Sequence, residues 1–104
     1  MTTLSINHEN YEEAISKTGM TFVKVSSPTC GPCKLMATIF EKLSKENSEH
    51  TFAEFEVNST GDESLAIKLG VSSVPAFLVY KDGELDKQFV GAFPLSVLKT
   101  KLGI

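Results

Sequence analysis

The sequence predicts an α/β fold: a central mixed sheet of about five strands flanked by four helices on both faces. Three observations point there. Runs of β-branched and aromatic residues alternate with stretches whose apolar positions recur at helical spacing. The early connections are long enough to be the helical crossovers that parallel strands need. Near the end, two runs flank Asp82-Gly83, a dipeptide favoured in tight hairpin turns. The order reads β-α-β-α-β-α-β-β-α, and no repeat, linker or low-complexity segment interrupts it, so residues 1–104 are read as one domain.

Thr3 to Ile6, "TLSI", is a short strand, and Asn7 stands where it would cap a helix carrying Tyr11, Ala14, Ile15 and Thr18 on one face before Gly19 ends it. Met20 to Ser26, "MTFVKVS", is rich in β-branched residues and reads as a buried strand that runs straight into the cysteines. After Pro32, the positions Leu35, Met36, Ala37, Ile39, Phe40 and Leu43 give a broad apolar helical face, which fades into "SKENSEH". Thr51 to Asn58 alternates like a strand. Thr60 and Glu63 are spaced as a capping box for a short helix with Leu65, Ala66 and Leu69, closed by Gly70. "AFLVYKDGELDKQFV" is the hairpin, and Pro94 suits the first turn of a last helix bearing Leu95, Leu98 and Leu102.

Composition narrows the function. With 104 residues, 41% hydrophobic and 22% charged, the chain can bury a sufficient core without cross-links. The N-terminus has neither a basic nor an apolar leader region, and no stretch approaches the roughly 18 apolar residues of a membrane span. A cytoplasmic monomer away from the membrane is the expectation. Net charge is −3, and the ten basic residues are all lysines scattered along the chain, so the stripe that would neutralise nucleic-acid phosphates is missing.

The two cysteines, Cys30 and Cys33, enclose only Gly31 and Pro32. As a staple they would do little, because closing a loop of about four residues gives roughly 2 kcal/mol against roughly 4.7 for a loop of about 100. A zinc site would want further ligands, and the only histidines, His8 and His50, are isolated and read as surface residues. Redox chemistry suits the pair better. It lies where a strand gives way to a helix, at the edge where open α/β sheets present their sites. There, unsatisfied backbone N–H groups and the helix dipole stabilise a thiolate. Cys30, nearer the exposed turn, is expected to be the nucleophile, and Cys33, one turn further in, the buried resolving thiol. Gly31 permits close approach, and Pro32 supplies a helical φ where an N–H would have no partner.

"CGPCK" after a hydrophobic strand, "VPAF" about forty residues later, "KDGE" at a hairpin and "VGAF" before the final helix together resemble the thioredoxin family over essentially the whole chain. That resemblance implies the thioredoxin fold and a protein disulfide reductase in which Cys30 attacks a substrate disulfide and Cys33 resolves it. It implies no bound cofactor beyond the redox-active Cys30–Cys33 disulfide, disulfide-containing proteins as substrates, and a thioredoxin reductase as electron donor. It also makes Pro75 a cis-proline facing the cysteines, with Val74 offering its backbone to a substrate strand. Gly91 would keep the rim of the groove open, though a turn glycine after a strand fits the residue equally well.

Several positions depart from the family pattern. The tryptophans that usually precede the cysteines are absent, and Ser26, Ser27, Pro28 and Thr29 stand there. Thr38 replaces a helix proline, which puts the expected kink in question. Lys24 occupies the place of a buried aspartate six residues before the nucleophile. A strand-edge lysine can simply snorkel to water. Strand parity puts Phe22, Lys24 and Ser26 on one face of their strand and Glu54, Glu56 and Asn58 on one face of the next. In the family a lysine of that neighbouring strand pairs with the buried aspartate, and its closest match here is Glu56, so the resemblance implies an alternative: a charge-swapped pair of Lys24 with Glu56 that favours the Cys33 thiolate. Lys34 reads as a solvated lysine. A second class of function also fits the missing tryptophans: a sensor or binding module with this fold, dedicated to one protein partner.

Overall fold

The computed structural model describes residues 3–7, 9–27, 31–57, 66–71 and 73–104. Five strands, β1 (Thr3–Ser5), β2 (Met20–Ser26), β3 (Thr51–Glu56), β4 (Ala76–Lys81) and β5 (Glu84–Val90), form one sheet in the order β1-β3-β2-β4-β5. Strands β1, β3 and β2 run parallel, while β4 is antiparallel to β2 and β5 to β4. The helices are α1 (Tyr11–Ile15), α2 (Gly31–Glu46), α3, of which residues 66–68 are described, and α4 (Leu95–Leu102). This is the mixed sheet read from the sequence. Thr60, Glu63 and Leu65 lie outside the described residues.

Strand β2 is central, and Thr21 to Ser26 are all buried, because helices cover both of its faces. Parity sorts the side chains. Phe22 joins Phe52, Phe77 and Val79 in a core that also takes Met36, Phe40 and Leu43 from α2 and Leu98 and Leu102 from α4. Val23 and Val25 join Ala53, Phe55, Ala76 and Leu78 in a second core, closed by Ala14 of α1 and by Ala66 and Leu69. Four phenylalanines run through the first core in tilted and edge-on contact, Phe22 with Phe52, Phe52 with Phe40, and Phe40 with Phe77, with ring centroids 5.0 to 6.0 Å apart.

Local details differ from the sequence reading. Helix α1 stops at Ile15, three residues short of Thr18. Asn7 does not cap it directly. Its Oδ1 accepts the N–H groups of Glu9 and Asn10, making a turn that puts Asn10 at the cap position. Beyond Ile15 the chain turns to meet the hairpin: the Gly19 N–H donates to Asp82 Oδ1 at 2.8 Å, and the Asp82 N–H donates to the Gly19 carbonyl at 2.9 Å. Asp82 (φ 52°) and Gly83 (φ 87°) both take positive φ, as a type I′ turn requires. Helix α2 runs unbroken through Thr38. Leu35 is 61% exposed, since one residue along a helix rotates about 100° away from buried Met36. Pro94 precedes α4 at its cap position instead of sitting within the first turn.

Thr21 is fully buried in β2, and its Oγ1 has no hydrogen-bond partner among the described residues. Thr21→Val keeps the shape and removes an unsatisfied hydroxyl. It is expected to raise stability by about 1 kcal/mol, read as a higher midpoint in denaturant unfolding; a lower midpoint would show that the hydroxyl has a partner.

Candidate active site

Strand β2 ends at Ser26 and α2 opens at Gly31, so the cysteine segment bridges a strand end and a helix start. Cys33 is 4% exposed in the first turn of α2 and is disulfide-bonded. Gly31 and Pro32, ahead of it, are exposed. Pro32 is tolerated because the first-turn N–H groups of a helix have no intrahelical acceptor. Cys30, Pro28 and Thr29 lie outside the described residues.

Strand β4 enters the same end of the sheet. Ala76 pairs with Val25, which brings the preceding Pro75 level with the last residue of β2. Pro75 is buried and its peptide bond to Val74 is cis, as the resemblance implied. Val74 is half-buried, its side chain packed on the core beneath α1 and α3. The Pro75 carbonyl accepts the Gly91 N–H at 2.9 Å. Gly91 has φ 127°, and a Cβ there would meet the Phe93 ring at 3.4 Å. The turn geometry alone therefore demands glycine at this position. The Phe93 N–H in turn points at Met36 Sδ, 3.3 Å away, which ties this loop to α2.

On the other side of Cys33 lies an open polar cleft of about 700 Å³. It is lined by Lys24, Ser26 and Ser27 from the β2 end, Cys33, Lys34 and Ala37 from α2, and Glu54 and Glu56 from β3. Lys24 is buried at 3% exposure and does not snorkel. Its expected partner was Glu56, and the structure corrects this: Lys24 Nζ lies 3.4 Å from Glu54 Oε2. The cause is register. In the parallel β2–β3 ladder Lys24 is level with Glu54, whereas Glu56 is level with Ser26 and exposed at the cleft mouth. The Lys24 ammonium also stands 6.0 Å from the centre of the Phe40 ring, at the outer limit of a cation–π contact. Lys34 is exposed at the cleft.

Glu54 is thus the site residue that sequence reasoning passed over. Parity placed it on the correct face, and the signal that could have found it is the Phe22–Phe52 pair. If those two rings sit side by side, counting two residues onward sets Lys24 against Glu54. His50 stays away from the site, its ring edge-on to Phe22 at 5.6 Å, and His8 lies outside the described residues. Among the described residues, no group of three or more His, Cys, Asp or Glu could hold a metal ion.

A bonded cysteine at the start of the helix that follows the central strand, with a cis-proline level with that strand's end, defines an α/β protein of the thiol–disulfide class. The thioredoxin family model matches residues 2–103, and the chain belongs to the thioredoxin family. It is 31% identical over 94 residues to the M-type thioredoxin of spinach chloroplasts, covering 89% of this chain and 51% of that one. To thioredoxin-1 of Saccharomyces cerevisiae it is 32% identical over 87 residues, with 84% and 82% covered. The fold superposes on spinach chloroplast thioredoxin F, short form, with a TM-score of 0.87 at 24% identity, covering 96% of this chain and 89% of the other. The chain spans about half the length of the chloroplast relatives it matches.

The pair at the cleft floor gives an asymmetric expectation. Lys24→Met removes a buried charge and fills its space, so stability should hold or rise. Glu54→Ala leaves the ammonium without its partner and should cost about 1 kcal/mol, a modest figure because water screens the half-exposed carboxylate. Urea unfolding of the two variants checks the order; equal losses would contradict it.

Proposed function

We propose that this chain is a thiol–disulfide oxidoreductase that reduces protein disulfides through Cys30 and Cys33. The observation that carries the reading is Cys33 itself: disulfide-bonded, buried in the first turn of α2 and preceded by exposed Gly31 and Pro32. A sulfur in that position is shielded from outside partners and held by the helix that presents it.

The chemistry is two exchanges. The Cys30 thiolate attacks one sulfur of a substrate disulfide, forming a mixed disulfide and expelling the other substrate sulfur as a thiolate. The Cys33 thiolate then attacks Cys30, closing the Cys30–Cys33 disulfide and releasing the second substrate thiolate. Two electrons pass to the substrate, and the released thiolates take up two protons. A thiol-reducing donor, by family analogy a thioredoxin reductase, returns two electrons and two protons to the pair. The redox group is the cysteine pair, so no bound cofactor is needed. The exposed Gly31–Pro32 turn and the Val74–Pro75 segment serve as the platform for the substrate chain, and Gly91 supports that segment through the Pro75 carbonyl. Turnover of this kind belongs in a compartment that keeps thiols reduced, such as the cytoplasm.

Insulin-disulfide reduction tests the reading. The chain should accelerate reduction by dithiothreitol, and Cys30→Ser should abolish the acceleration. Cys33→Ser should instead accumulate a mixed disulfide with substrate, visible on a non-reducing gel. Turnover with dithiothreitol but not with a generic thioredoxin reductase would point to a different donor; no turnover with either would overturn the reading.

A further inference from the structure

Lys24 is the one charged residue buried among the described residues, and the two exchanges above give it no role. Burying an ammonium is costly before its partner is counted, and a methionine would fill the same space without that cost. Its surroundings suggest what the charge is for. Lys24 and Cys33 line one cleft, Lys24 from the sheet floor and Cys33 from the first turn of α2. Among the described residues, the other ionisable groups facing this cleft are Glu54 and Glu56 from β3 and Lys34 from α2, with none from the β1 end.

We propose that Lys24 is a positioning residue for Cys33, its buried ammonium stabilising the Cys33 thiolate and therefore the dithiol state of the cysteine pair. The sign follows from unequal screening. Glu54 offsets the cation but is 41% exposed, so water weakens its field more than that of Lys24, at 4%. Glu56 and Lys34 are exposed and oppose one another. What remains on the buried side of the cleft is positive. A thiolate exists only in the reduced protein, so a group that stabilises it shifts the equilibrium toward the dithiol and makes the pair more oxidising. A cation there eases loss of the Cys33 proton, so resolution leans less on a carboxylate base. The use of this device rests on the proposed reductase function; its existence does not.

The test exploits the two halves of one ion pair. In the full chain carrying Cys30→Ser, Cys33 is the only thiol, and NMR of its labelled Cβ follows its titration without coupling to a second sulfur. Lys24→Met should move the titration up by about one pH unit, and Glu54→Gln should move it down by a similar amount. A purely structural pair predicts the same direction for both, since each substitution breaks the same contact. With both cysteines present, the equilibrium against glutathione should move toward the disulfide in Lys24→Met and toward the dithiol in Glu54→Gln, by an amount that grows to about tenfold at pH above the titration midpoints. Should Lys24→Met fail to fold, Lys24→Gln serves in its place. Shifts in one direction, or none in either variant, overturn the proposal, whereas failed insulin reduction by the unmodified chain would overturn only the function.

Discussion

The pairing of β2 on both edges is the constraint from which the site takes its shape. Phe22 is locked between Phe52 of β3 and Val79 of β4, and that row fixes every pair above it: Lys24 with Glu54 and Phe77, then Ser26 with Glu56. The strand is buried on both faces, so it can neither slide by one residue nor turn over without driving Lys24 into the opposite apolar core. Its last residue is held as well, since the Val57 N–H donates to the Ser26 carbonyl at 2.7 Å. The cysteine segment therefore leaves the sheet from a fixed point.

Around that point the molecule builds two unlike walls. On the β4 side the wall is apolar and tied across: Gly91 to Pro75, Phe93 to Met36, and the Phe77, Phe89 and Phe93 rings to one another at 5.4 to 6.4 Å. On the β3 side it is polar and open, where β1, β2 and β3 end beneath the first turn of α2. Cys33 sits between them. Its backbone is held by the helix, and the residue lines the same cleft as Lys24.

What the sequence made legible follows from how local each feature is. The buried run of β2, the type I′ turn at Asp82-Gly83 and Cys33 in the first turn of a helix depend on neighbouring residues, and each reads correctly. Helix α1 ends short of the spacing's prediction, and the residues beyond it turn to meet the hairpin, where Gly19 bonds Asp82, sixty-three residues away. Leu35 falls on the broad apolar face that the spacing predicts yet lies exposed, because an apolar run does not reveal which side of the helix meets the sheet. For Lys24, alternation supplied the face, but a parallel register joins strands across a helix and cannot be counted along the chain. Glu54 and Glu56 were equivalent until the strands were paired.

That one step of register decides the electrostatics. Glu56 is two residues nearer the strand ends than Glu54, roughly 7 Å further toward the helix start where Cys33 lies. A buried bond between Lys24 and Glu56 would have drawn the carboxylate toward Cys33 and set its field against the cation. With Glu54 as partner, the carboxylate lies level with the ammonium and looks outward to water, while Glu56 remains exposed. The lysine is thus neutralised enough to be tolerated inside the protein and screened too little to be cancelled at the sulfur. A strand that carries its charge inward needs its counter-ion directly alongside, because any partner further up the ladder would stand between that charge and the thiol.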